Sequence, residues 1–353
     1  MDSALLIPLA DTIPVAWGWF QVLLVATFML HLLAMNILLG SSVIALVDQI
    51  RGRARTTGPV LSPKLPIVMA FTVNFGVAPL LFLQVLFGNL VYTSSILMAV
   101  YWLSVVFIII AAYYSLYVFQ YKYEAWPRAR TVFLAVAVAC ILAVAFFFSN
   151  NMILMISPER WPAYFANRSG TILSLTDPTL IPRYLHFVLA SLAAGGLFLA
   201  VTSRWKKSEA KAEEQLLLGM KWFSFATVAQ LAVGIWFLLA LPQDVMLMFM
   251  GGNGTATALF MAGLILAALL LLFGFQNKVW PSLYTFLGTV VVMVLMRDLV
   301  RTAYLKGYFN PAELMVKPEY GPMVLFVVIL LVGLAAVVYM LKLGFETGKE
   351  VTR

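Results

Sequence analysis

Nine stretches of this chain are each long and apolar enough to cross a bilayer, and that property limits what the chain can fold into. In hydrocarbon no water satisfies backbone N–H and C=O groups, so a spanning segment must be a helix or belong to a closed barrel. A helix needs about 20 apolar residues to span, whereas a barrel strand needs only about 10. The runs at roughly 15–47, 65–92, 96–120, 131–156, 182–202, 216–242, 255–275, 280–305 and 321–344 have the helical length. Hydrophobic residues make up 63% and charged residues 11%, with mean hydropathy +0.97, far from soluble domains. The predicted fold class is an all-α integral membrane protein with nine transmembrane helices.

Charge sets the orientation. Sixteen of the 23 Lys and Arg follow spans one, three, five and seven or close the chain, among them Arg51, Arg53, Lys122, Arg130, Arg204 and Lys278. Basic residues favour the cytoplasmic side, so the N-terminus is expected outside and the protein in the inner (cytoplasmic) membrane. The net charge of +8 is thereby assigned to topology and lipid, not to nucleic acid. KKSEAKAEEQ at 206–215 reads as a solvated, charged helix extension. The connections 157–181 and 306–320, rich in Pro, Trp and Tyr, read as an outer docking surface or as interfacial aromatic belts. MDSALLIPLADTIP has no basic region before an apolar core, so no cleavable signal is expected. The single cysteine, Cys140, excludes an intrachain disulfide, a thiolate zinc site and covalent haem attachment.

The chain holds only two histidines, His31 and His186, each inside an apolar run with a glycine nine residues on, Gly40 and Gly195. Each opens a group of four spans. The expected organisation is a four-helix bundle over 1–156, a second over 182–305, and a ninth helix with tail over 321–353. Each glycine is read as a groove where a flat ring can approach the helix.

An imidazole in hydrocarbon costs free energy unless its nitrogens are used. A backbone carbonyl can satisfy it, but His186 lies one turn after Arg183, near the outer surface. An apolar macrocycle with two carboxylates suits that pairing, which points to haem. A low-spin haem takes a second ligand, His or Met. His31 lies too deep to share the iron. Most of the 17 methionines must be packing, but Met261, about six residues into span seven, matches the depth of His186.

The same residues carry a family resemblance. HLLAMNILLG from His31, GVAPLLFLQVLFG at 76–88, His186 with Gly195 and Phe198, and Phe260-Met261-Ala262-Gly263 are similar to segments of subunit I of the cytochrome bd quinol oxidases; Arg297 matches the arginine of its eighth span. The resemblance implies a nine-span fold with the N-terminus outside, and haem ligation by His31, His186 and Met261. The departures are specific. No carboxylate occurs from Ile96 to Phe119, Gln84 and Val294 stand where the family has glutamates, Leu259 replaces an arginine, and the 243–254 connection is short.

Oxygen reduction needs protons at a buried metal, and these acids are missing. The expected function is a membrane electron-transfer subunit holding one or two b haems. It would pass electrons between quinol or quinone and an outer-side c-type cytochrome or iron–sulfur subunit. Site residues are His186, Met261 and His31 on iron, with Arg183 and Arg297 on the cofactor. A bd-type terminal oxidase subunit, or a cofactor-free permease or anchor subunit, stays open. The topology predicts that Asn167→Cys reacts with an impermeant thiol reagent applied to intact cells and that Arg53→Cys does not. Labelling of Arg53→Cys from outside would invert the orientation.

Overall fold

The computed structural model describes residues 3–205 and 211–351. The charged extension expected at 206–215 thus lies partly outside the described residues, as does Arg353. Helix α1 (Trp17–Ile50) leads through a short α2 (Ala54–Leu61) to α3 (Leu65–Leu97), α4 (Ala99–Tyr121) and α5 (Ala129–Met155). A one-turn α6 (Ala163–Ala166) precedes α7 (Leu180–Trp205) and α8 (Ala212–Ala240). The short α9 (Gln243–Leu247) is followed by α10 (Gly254–Phe275), α11 (Val279–Tyr304) and α12 (Tyr320–Val351). Among the described residues nine helices are long and apolar enough to cross a membrane, and there is no β-strand beyond one isolated bridge.

Local chemistry sets the ends. Asn253 caps α10 by accepting a hydrogen bond from the Ala256 N–H, and Glu213 and Glu214 sit in the first turn of α8, where the helix dipole favours acids. Gly251 takes φ +111°, a left-handed conformation that a side chain would strain, and turns the chain into α10. Pro79 is buried inside α3, and the departure from helical geometry falls at Phe87 (φ −132°, ψ 28°), whose ring packs edge-on against Phe309.

Helix α1 packs on α3 and α7, α4 on α5, and α7, α8, α10 and α11 close a ring in that order. The glycines expected to form open grooves are occupied by neighbouring backbone. A Cβ on Gly40 would collide with the Ser191 carbonyl, and one on Gly195 with the backbone of Gly40 and Ser41. The Ser191 hydroxyl donates to Asn36 Oδ1 at 2.8 Å beside this crossing. Gly196 meets Gly219 of α8 in the same way. Small residues let membrane helices approach closely, which is how such interfaces gain packing energy.

The outer connections are tied down. Trp161 is buried and donates from Nε1 to the Leu154 carbonyl at 2.8 Å, Arg160 pairs with Asp177 at 2.8 Å, and the Ser174 N–H donates to Asn150 Oδ1 at 2.9 Å. The Ile13 N–H donates to the Met315 carbonyl at 2.9 Å, joining the N-terminal segment to the connection before α12. From Tyr320 to Leu343 every residue of α12 is exposed, so that helix stands apart from the others.

The α1–α7 crossing predicts that Gly195→Ala destabilises the detergent-solubilised protein by about 1–3 kcal/mol through overpacking. Gly333→Ala, with nothing near its Cβ position, should be neutral. Equal thermal denaturation of the two variants would show that α1 and α7 separate freely.

Candidate cofactor site

A cavity of about 270 Å³ runs between α7, α8, α10 and α11, with α1 adding Phe28 and Leu32 to its wall. Its lining is almost wholly aliphatic and aromatic. The polar exceptions are Thr227, Gln230, Thr289 and, at the outer end, Arg183, Arg297, Arg301 and His186.

His186 projects from α7 about 9 Å below its outer start, at 1.5 Å per residue. Its ring packs on Gly234 of α8, where a Cβ would stand 3.2 Å from Cε1, and lies 6.3 Å from the Phe237 ring. Nδ1 is buried without a hydrogen-bond partner. A satisfied core histidine would bond a carbonyl there. No carbonyl reaches it, so the imidazole is presented to the cavity rather than used within the protein.

The three arginines form a cationic rim. Arg183 and Arg301 sit three residues inside the outer ends of α7 and α11, and Arg297 one turn deeper on α11. Arg297 lies within electrostatic range of both others. Their guanidiniums rest on aromatic faces, Arg183 over Phe237 at 5.3 Å, Arg297 over Phe28 at 4.5 Å and Arg301 over Phe87 at 4.4 Å. Arg301, only 5% exposed, pairs with Asp298, which also accepts from Gln21 Nε2 at 2.8 Å. The Nε atoms of Arg183 and Arg301 are buried without partners, and among the described residues no acidic one lines the cavity. Arginine stays ionised, so this rim carries more positive charge than the chain neutralises. It suits a ligand with about two negative charges on an apolar body.

The expected site residues divide. His186, Arg183 and Arg297 come together on the cavity; His31 and Met261 do not line it. His31 donates or accepts through Nδ1 at 3.0 Å from the Thr72 carbonyl and packs on Gly76 of α3. The two histidines therefore have matching surroundings, each ring against a glycine of the next spanning helix. Met261 is 51% exposed and off the cavity wall, so the structure does not bring it together with His186 there. Phe260, Gly263, Leu264, Ala267 and Leu270 define the cavity face of α10, and Met261 stands roughly 120° around the helix from its centre. Its depth was legible; its azimuth was set by packing.

Met293, Met296, Arg301 and Gln230 were missed. Thr289, Met293, Arg297 and Arg301 recur every four residues on α11, a polar and sulfur-bearing stripe in an apolar span that marks one face.

No protein-family model matches the chain, and no curated protein matches it. Among solved structures, the bd oxidase from Geobacillus thermodenitrificans superposes with a TM-score of 0.65 over 97% of this chain and 98% of that one, at 14% identity. The chain is a multi-helix membrane protein with the bd oxidase fold. At that identity the likeness extends to the fold, and the site must be argued from its own residues.

Because like charges crowd the rim, Arg297→Gln is expected to leave the ligand-free protein about as stable as wild type. The lost cation–π contact, about 1–2 kcal/mol, is offset by relieved repulsion. A loss of roughly 3–5 kcal/mol in denaturation, as for a broken buried ion pair, would mean that partners within the chain hold this guanidinium.

Proposed function

We propose that this protein is a membrane-bound b-type cytochrome, an electron-transfer subunit related in fold to bd oxidase. One haem would lie in the cavity, with His186 as an iron ligand and Arg183, Arg297 and Arg301 on its carboxylates. The observation that carries this reading is the imidazole without a partner of its own on an apolar wall beneath an excess of buried positive charge. A haem supplies a one-electron iron couple there.

The residues divide the work. Gly234 leaves room for the imidazole edge, and the aromatic faces under the guanidiniums hold the charges at the rim. Burial of those charges strengthens their hold on anionic groups, and their positive field would favour the reduced state of a nearby redox centre relative to a neutral rim. Phe28, Leu32, Phe249 and Phe260 exclude water. The site lies about 9 Å from the outer end of α7, which suits exchange with quinol or quinone and with an outer-side c-type cytochrome or iron–sulfur subunit. His31, with Nδ1 held by Thr72, keeps Nε2 for a second haem but has no place on this cavity.

Electron transfer is favoured over oxygen reduction because Val294, buried on the cavity wall, stands where the resemblance places a glutamate, and no acidic residue among the described ones lines this cavity.

The purified protein should show a reduced-minus-oxidised b-type spectrum with one or two haems per chain by pyridine haemochrome, one of them lost in His186→Ala, and negligible quinol-dependent oxygen uptake. A colourless wild-type protein removes the cytochrome reading. Steady oxygen consumption abolished by His31→Ala restores the oxidase.

A further inference from the structure

We infer that Gln230 of α8 is a positioning residue for His186: its amide oxygen accepts from Nδ1–H and so holds Nε2 toward the iron. This deepens the haem reading above and rests on it. Two buried atoms on the cavity wall lead to it, His186 Nδ1 and Gln230 Oε1, neither of which has a hydrogen-bond partner. A neutral imidazole carries one N–H, and coordination through Nε2 puts it at Nδ1. One atom then needs an acceptor and the other a donor, and leaving both unpaired costs free energy.

The fold brings them within reach. Cε1 and Nδ1 of His186 lie 3.2 and 3.5 Å from where a Gly234 Cβ would stand, so the ring turns this edge to α8 and Nε2 away from it. Gln230 precedes Gly234 by four residues, and side chains at that spacing are neighbours on one helix face, with Cβ atoms about 5–6 Å apart. The imidazole edge takes the place of the side chain that Gly234 lacks, so Gln230 stands beside it. A glutamine side chain and one hydrogen bond span that gap, and its terminal torsion is broad.

The other polar groups of the cavity do not serve. Arginine only donates. Thr227 and Thr289 lie about 20 and about 22 Å from the outer ends of α8 and α11, against about 9 Å for His186 on α7. Their hydroxyls donate to the Phe223 and Thr285 carbonyls at 2.7 and 2.8 Å. An iron-bound imidazole whose second N–H is held by an acceptor is fixed in tautomer and orientation and is a stronger donor. A stronger donor favours oxidised iron, so Gln230 lowers the midpoint potential of this haem, opposing the positive field of the rim.

The test compares Gln230→Met, which nearly conserves volume and removes the acceptor, and Gln230→Glu, which keeps an acceptor oxygen, with wild type as full-length protein in detergent. The haem followed is the one that His186→Ala removes. The readouts are haem content, potentiometric midpoint and, by pulsed EPR of the oxidised protein, the quadrupole coupling of the remote imidazole nitrogen, which reports its hydrogen bond. In Gln230→Met the haem should stay, the coupling should move toward that of a free N–H, and the midpoint should rise. A tenfold loss of preference for the oxidised form appears as about 59 mV in a one-electron couple. Gln230→Glu should return the coupling of a held N–H with a midpoint at or below wild type, which a packing role would not produce. An unchanged coupling and midpoint in Gln230→Met overturns the assignment, as does a rise of equal size in both variants. Should Gln230→Met lose its haem or its fold, Gln230→Glu decides, and a midpoint above wild type there overturns the assignment. A wild-type protein without haem, or a spectrum that His186→Ala leaves unchanged, would instead remove the cytochrome reading on which the positioning role stands.

Discussion

The contact of α1 with α7, backbone against backbone at Gly40 and Gly195, is what the rest of the structure depends on. Helices in lipid gain little from burying apolar surface, because the lipid is equally apolar; they gain from close packing and from hydrogen bonds between them. The crossing supplies the first, and the Ser191–Asn36 hydrogen bond supplies the second. It joins the four helices of the first half to the four of the second, and it lays Phe28 and Leu32 of α1 along a cavity lined by α7, α8, α10, α11 and the end of α5.

The same packing makes the cavity electrostatically unfinished. Three guanidiniums are held at one end by aromatic faces, and Arg301 by its pairing with Asp298. Charge in a low-dielectric interior is costly unless paired. The aromatic quadrupoles recover part of that cost, and a bound anion would recover the remainder. An apolar body with anionic groups at one edge satisfies the wall and the rim together, while neither a simple ion nor a neutral hydrocarbon does. Coordination by His186 would then use an imidazole nitrogen that stands on the wall without a hydrogen-bond partner.

Glycine next to each histidine recurs in the two halves, Gly76 by His31 and Gly234 by His186. In both cases the glycine comes from the following spanning helix and makes space for an imidazole edge. The outcomes differ. Thr72 offers a carbonyl to His31, and nothing corresponding reaches His186. One imidazole is tied into the protein through Nδ1, and the other is left facing a cavity.

The residues alone determined the nine helices, because length and hydropathy are local and lipid enforces internal backbone pairing. They also singled out His186, Arg183 and Arg297, since a titratable or charged group in an apolar span is costly enough to stand out one residue at a time. Depth could be counted along each helix at a fixed rise. Azimuth could not, because it depends on which neighbours pack where. Only the tertiary structure turned Met261 away from the cavity and Met296 toward it, filled the expected grooves at Gly40 and Gly195 with helix backbone, and gathered Arg183, Arg297 and Arg301 from two helices into one rim. Those are relations between helices, set by close packing, and apolar side chains of similar size leave them unwritten in the order of the residues.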